Sequence, residues 1–279
     1  MMNFKGKWVK NIFLYLLAIV GAVMMIFPFL WMVSNAFKAN VFVIEYPPQL
    51  IPDNPSLENF TRAWTSNFFQ LYFKNSAFVA IISTLGTVLF SAMTAYAFGR
   101  FEFKGKEILF TIMMLVLMVP DIISVIPRFY VAKTLGLRNS LWGLIVFYIA
   151  GSVPLNTFLL RGFFEAQPRE LEDAMTIDGA GPFNIFFRMA LPLAAPALAT
   201  VTIFSFLGNW DEYVWALTAI DDPLKRTLPV AIYSFQGQHG TEWGLVFAAM
   251  IIALIPVFIV FLLMQKHFTG GLTTGAFKG

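Results

Sequence analysis

The sequence contains no cysteine, only two histidines, and charged residues at just 13% of its 279 positions. Without cysteine there is no disulfide framework, no thiolate nucleophile and no cysteine zinc site, and redox usage says nothing about compartment. His239 and His267 have no metal-ligand partner at helical or hairpin spacing, so no metal centre is expected. A basic stripe interleaved with aromatics is also missing; the net charge of +3 and the pI of 9.1 therefore do not imply a nucleic-acid partner. The segment Gly99 to Lys106 ends in Gly-Lys like a phosphate loop, but its glycines are six apart and Glu107 stands where Ser or Thr would bind magnesium. No nucleotide or cofactor site is encoded. No His/Asp/Glu cluster within the apolar segments suits acid–base chemistry, so the chain reads as a non-enzyme.

What is abundant is apolar surface, with 58% hydrophobic residues and a mean hydropathy of +0.71, more than one soluble core of this length can hide. It is organised into six runs, 12–33, 76–98, 108–126, 141–160, 190–209 and 245–264. At about 1.5 Å per helical residue each run reaches about 30 Å, the thickness of a bilayer core. The expected fold is all-α: a single polytopic domain, 1–279, with six transmembrane helices. Lys5, Lys7 and Lys10 precede the first run and Ser34 and Ala36 follow it, as around a secretory signal, but the run exceeds the signal's apolar length of about 7–15 residues and reads as a retained span. With both termini cytoplasmic, eleven Lys and Arg lie inside and eight outside, a weak bias of the expected sign. The Lys cluster before the first span supports the same orientation.

The outer loops differ in kind. Pro47, Pro48, Pro52 and Pro55 should keep Tyr46 to Pro55 extended, after which Ser56 can cap a short helix running toward Tyr72. Asp221 to Trp243 is the other long external segment. Both are either contact surfaces or solvated connections. Asp121 follows Pro120 inside the third run, where a carboxylate is costly and usually faces a cavity or a partner. No intramembrane cation is evident beside it, nor any inverted repeat, which weighs against a proton-coupled secondary transporter and favours a pore-facing or capping role. Asn209-Trp210-Asp211-Glu212-Tyr213 closes the fifth run with aromatics beside hydrogen-bonding groups, a mixture that suits a sugar and equally a membrane interface. With Asn156 and Asp121, residues Asn209, Trp210, Asp211 and Tyr213 are the candidate lining of a substrate path.

The most charged stretch lies between runs four and five. Pro168 suits the first position of a helix, and Glu170, Glu172 and Asp173 favour its first turns. Leu171, Ala174 and Met175 recur at i, i+3 and i+4 as one small apolar face. Asp178-Gly179 stops the helix, with glycine free to take a left-handed cap, and Pro182 restarts another helix that feeds the fifth span. Such an element is either a docking knob or a helix lying on the headgroups. Its sequence resembles the Glu-Ala-Ala, three residues, Gly, nine residues, Ile-x-Leu-Pro pattern of ATP-binding-cassette importer permeases. Here the pattern reads Asp173-Ala174-Met175, Gly179 and Met189-Ala190-Leu191-Pro192, with the spacing intact and three substitutions. Lys74-Asn75-Ser76, Ala95-Tyr96-Ala97-Phe98, Arg100-Phe101-Glu102-Phe103-Lys104-Gly105, Leu135-Gly136-Leu137 and Leu272-Thr273-Thr274-Gly275 extend the likeness to the carbohydrate-uptake branch, and to its second permease as in maltose importers.

The resemblance implies a type I importer permease in the bacterial inner membrane, paired with a second permease, two ATPase subunits that hold ATP and magnesium, and an extracytoplasmic binding protein. It implies that loop 165–189 couples to an ATPase through Glu172, Asp173, Ala174, Met175, Asp178, Gly179 and Ala180, with Leu191 and Pro192 beyond, and that the tail 265–279 reaches toward the ATPases. It also implies that the external segment meets the binding protein, with Lys225, Tyr233, Gln236 and Gln238 as candidate contacts. A carbohydrate is the implied solute, a polyol or glycerol phosphate-type solute the alternative.

Overall fold

The computed structural model describes residues 4–38, 49–66, 68–237 and 240–276, with side chains described over 11–38, 49–66, 68–235 and 241–266. The chain is almost wholly helical. In order come α1 (Phe4–Ala36), α2 (Glu58–Thr65), α3 (Phe69–Arg100), α4 (Lys106–Leu115), α5 (Val125–Thr134), α6 (Leu141–Glu165), α7 (Arg169–Ile177), α8 (Pro182–Ile185), α9 (Leu191–Leu193), α10 (Ala195–Asp211), α11 (Val214–Ala219), α12 (Leu228–Ser234) and α13 (Trp243–Ala276). A two-residue antiparallel pair, β1 (Gln236–Gly237) with β2 (Gly240–Thr241), precedes α13. Four helices are long and apolar enough to cross a membrane, and two further segments qualify as bent pairs.

The stretch expected as a straight third span, 108–126, is instead broken. Val119 and Pro120 interrupt it, and the segments Lys106–Met118 and Asp121–Thr134 meet at 96°. Proline removes an amide donor and clashes with the preceding turn, which ends the helix there. The expected fifth span, 190–209, also has a corner: Pro182–Leu193 meets Ala195–Asp211 at 80° around Ala194, and the first arm includes a π-helical stretch over Phe186–Ala190. The helix after Ser56 is shorter than expected and stops at Thr65, and Tyr72 belongs to α3, which starts seven residues ahead of the expected 76. Leu57, not Ser56, is the N-cap of α2; Ser56 stands one residue before it, its Oγ accepting the Glu58 amide at 3.1 Å. At the other end α13 continues past 264 to Ala276, so the expected tail is largely helical.

The residues group into two compact units. In the first, Met1–Phe69 with Ile232–Ala253, the most apolar part of α1 buries nothing, as expected of a helix whose solvent is lipid. Its end is tied by Asn59, whose Nδ2 donates to the carbonyls of Ala36 at 3.0 Å and Lys38 at 2.6 Å. Arg62 pairs with Glu242.

The second unit, Gln70–Ala231 with Leu254–Gly279, is organised on α3. Ala80, Ser83, Thr87, Ser91 and Ala95 recur at steps of three or four and are fully buried. The hydroxyls of Ser83, Thr87 and Ser91 have no hydrogen-bond partner among the described residues, and their small size lets neighbouring helices come close. Beside this stripe, Val79 joins Leu144, Ile145 and Tyr148 of α6 in one buried cluster, and Ala92, Ala95 and Tyr96 join Leu160, Phe164, Ala197 and Val201 of α6 and α10 in another. Gly143 lets α6 begin hard against the preceding loop: a Cβ there would lie 2.0 Å from the Leu137 carbonyl oxygen. Gly143→Ala should therefore destabilise the protein by about 1–3 kcal/mol. The readout is the thermal unfolding midpoint in detergent followed by tryptophan fluorescence, and an unchanged midpoint would show that the loop yields freely.

Candidate functional site

The helix between the fourth and fifth apolar segments is present as α7, with its caps at slightly different positions from those expected. Pro168 is the N-cap, with ψ of 130°, and Arg169 the first helical residue. Asp178 is the C-cap and Gly179 takes φ of +81°. The Gly179 amide donates to the Thr176 carbonyl at 3.0 Å and the Ala180 amide to Met175 at 2.9 Å, closing the last turn.

The expected apolar face of Leu171, Ala174 and Met175 does not all turn inward. Glu172 and Met175 are half-buried, while Leu171, Ala174, Ile177, Asp173 and Asp178 are exposed, Ile177 at 86%. The inner face is instead held by polar contacts. Arg100, the last residue of α3, has a side chain only 2% exposed, and its Nε donates to Glu172 at 2.8 Å. Its Nη1 donates to the carbonyls of Gln167 at 2.9 Å and Phe164 at 3.3 Å. The Tyr96 hydroxyl donates to the same Glu172 oxygen at 3.2 Å, and the Tyr96 ring packs against Phe101, Phe164 and Phe186. Gln167 Nε2 donates to the Ala190 carbonyl at 3.0 Å, beside Leu191 and Pro192 in α9. Tyr96, Arg100 and Gln167 were not picked out as holding this loop, because they lie outside its helix and only the fold brings them to it.

A second constellation lines a cleft of about 320 Å³ that includes Leu117, Asp121, Arg128, Tyr148, Asn156 and Asn209. Asp121 is ion-paired to Arg128, contrary to the expectation that it lacks a cation; the break at Pro120 turns α5 so that the two residues meet. Asn156 donates to Ser205 Oγ at 3.3 Å and to the Ser152 carbonyl at 2.9 Å, and Asn209 donates to Thr84 at 3.3 Å. Of the other expected lining residues, Trp210 is buried against Phe206 and Phe73, and neither Asp211 nor Tyr213 borders the cleft. Glu212 does border it, accepting from the Trp215 and Ala216 amides at 2.6 and 2.9 Å and from the Tyr148 hydroxyl at 2.6 Å. It is the N-terminal anchor of α11, a role invisible while the segment reads as one aromatic cluster.

On the external segment, Lys225 Nζ donates to the Asn139 carbonyl at 3.1 Å and lies 3.6 Å from Asp222. Tyr233 is exposed, Gln236 pairs with Thr241 in the short hairpin, and Gln238 lies outside the described residues. Asn75 donates to the carbonyls of Leu224 at 3.0 Å and Arg226 at 2.9 Å, and Ser76 Oγ accepts the Leu228 amide at 2.7 Å.

Residues 87–273, which contain both α7 and the cleft, match the family described as binding-protein-dependent transport system inner membrane component. The chain belongs to that family. It is 38% identical over 96% of its length, and 87% of the relative's, to a probable ABC transporter permease protein, YurM, of Bacillus subtilis. It is 37% identical to the trehalose/maltose transport system permease protein MalG of Thermococcus litoralis, covering 97% and 98% of the two chains. In fold it matches a chain of the crystal structure of a bacterial ABC transporter involved in import of the acidic polysaccharide alginate, with a TM-score of 0.84 and 22% identity over 96% and 99% of the two chains. This permease is thus an inner-membrane transport component of the type I importer fold and not an enzyme.

In the permease, Glu212→Ala should leave two amides and the buried Tyr148 hydroxyl without an acceptor, at a cost of about 1–3 kcal/mol. Glu212→Gln keeps an acceptor oxygen and should lose less. Thermal midpoints of the two variants test the order, and equal midpoints would mean that water satisfies the freed donors.

Proposed function

We propose that this chain is one of two permeases of an ATP-driven, binding-protein-dependent sugar importer, crossing the membrane six times with both termini in the cytoplasm. The observation that carries the reading is α7: a helix that exposes Leu171, Ala174 and Ile177 among charged residues, whose inner face is fastened to the ends of α3 and α6, and which leads directly into the fifth crossing. A partner that grips such a helix moves the spans attached to it. That partner is one of two ATPase subunits, which hold the ATP and magnesium, and their closure drives alternating access as a rigid-body motion. Asp173, Ala174, Met175, Asp178, Gly179 and Ala180 belong to the gripped element.

The cleft at Asp121, Asn156 and Asn209 contributes this chain's half of the path. The buried Trp215 indole N–H has no partner among the described residues, leaving a donor beside the cleft for a solute hydroxyl. The external segment from Asp221 is the contact for the binding protein. A carbohydrate solute is supported by relatives named for trehalose/maltose and for diacetylchitobiose uptake, the latter the permease NgcG of Streptomyces coelicolor at 34% identity.

Gly179→Val tests the loop. No side chain fills the space around Gly179, so the penalty is conformational, roughly 1–2 kcal/mol for a left-handed residue and more for a β-branched one. ATP-dependent uptake in vesicles should fall about tenfold or more while the chain still inserts. Undiminished uptake would remove α7 from the mechanism. Gradient-driven uptake by the purified chain without any ATPase would overturn the whole reading.

A further inference from the structure

Six segments can cross a membrane, and among them α3 is distinct. Pro28, Pro154 and Pro256 lie inside α1, α6 and α13, and the other two segments are bent by 96° and 80°. Helix kinks arise mostly at proline, and α3 has none in its 32 residues. At about 1.5 Å per residue it is about 48 Å long, more than the hydrocarbon core of about 30 Å, so its ends stand in different aqueous compartments.

Each end is clamped by side chains to a functional loop. At its first turns, Asn75 donates to the carbonyls of Leu224 and Arg226, and Ser76 accepts the Leu228 amide, so the segment after Asp221 is fastened to α3 by three hydrogen bonds. At its last turns, Arg100 and Tyr96 both hold Glu172 of α7, and Arg100 also holds the carbonyls of Phe164 and Gln167. Both clamps are sequestered: Asn75 is 7% exposed, Ser76 3%, and the Arg100 side chain 2%. Between them runs the fully buried small-residue stripe, and α3 joins the buried clusters of α6 and α10 through Val79 near one end and Ala92, Ala95 and Tyr96 near the other.

We infer that α3 is the strut that joins the outer loop to the ATPase-docking helix, with Asn75 and Arg100 the positioning residues at its two ends. A displacement of the 221–228 segment is passed along one continuous, proline-free helix, so it arrives at Glu172 as a displacement of α7. By reciprocity, ATPase closure at α7 is felt at the outer loop. This rests on the reading of α7 and of the external segment given above.

The test uses the complete complex in proteoliposomes: this permease, its partner permease, the ATPases and the binding protein with sugar. Arg100→Gln and Asn75→Ala are each expected to leave ATP hydrolysis in the absence of binding protein near the wild-type rate. Stimulation by the loaded binding protein should fall about tenfold in each. The double variant should be no worse than the more impaired single, because two breaks in one strut cost no more than one. Arg100→Lys, which restores the charge but not the fork toward two carbonyls, should recover part of the stimulation. Unchanged stimulation in both singles, or effects that multiply in the double, would overturn the strut. If either variant fails to assemble, Tyr96→Phe and Ser76→Ala, each removing one hydrogen bond, take their places under the same two outcomes. A wild-type complex that binding protein does not stimulate at all would instead sink the importer reading, which separates the two failures.

Discussion

Lipid offers apolar side chains as good a home as another helix does, so the helices of this permease cannot be held together by the hydrophobic effect that organises a soluble core. What remains is close fit and a few polar ties. The stripe of Ala80, Ser83, Thr87, Ser91 and Ala95 supplies the first, because residues of that size let backbones approach. The ties stand apart from it, at the ends of helices or beside the cleft: Asn75 and Arg100 on α3, Asn156 on α6, Asn209 on α10.

The same constraint inverts the ordinary meaning of exposure. In a soluble protein, Leu171, Ala174 and Ile177 on one side of a short helix would mark the face that packs on the core. Here the side of α7 turned toward the protein carries Glu172, and the apolar residues look outward. A guanidinium and a tyrosine hydroxyl hold the carboxylate, and a charged pair so enclosed specifies geometry more than it adds stability. An apolar face left open beside a membrane-embedded subunit is consistent with a protein partner, and the aromatic cluster of Tyr96, Phe164 and Phe186 gives that face a stiff backing.

Much of this was legible in the sequence, and the limits have physical causes. The apolar runs, the helix over 169–177 and the left-handed Gly179 are local properties, written in length, caps and composition. The Arg100–Glu172 pair joins residues 72 positions apart, and no spacing rule reaches that far. The Asp121–Arg128 pair was missed for a different reason: Arg128 counts as a loop cation if the third run is a straight helix, and as a cleft residue once Pro120 bends it. Periodicity could not tell these apart, since a run of apolar residues reads alike whether the helix is straight or folded. Trp210, an aromatic beside polar groups, is buried and stacked on Phe206, while Glu212, two residues on, accepts amide hydrogen bonds and borders the cleft. The error lay in treating a cluster as a unit when successive residues of a helix end point in different directions.

The bent segments and the straight one divide the work. A broken helix frees backbone groups, which a membrane tolerates only where protein or a water-filled cavity meets them. Around Pro120 this condition is fulfilled: the Val119 amide turns back to Val116, the Ile123 amide bonds the Pro120 carbonyl at 3.1 Å, and Ser124 Oγ donates to the Asp121 carbonyl at 2.6 Å. The break therefore sits beside the polar cleft that Leu117, Asp121 and Arg128 line from its two arms, and the cornered α10 brings Ser205 and Asn209 to the same cleft. Bends create an irregular surface lined by polar groups, at the cost of stiffness. The strut inferred for α3 fits that division, because α3 contributes none of the described residues that line the cleft and runs as one proline-free helix from Phe69 to Arg100.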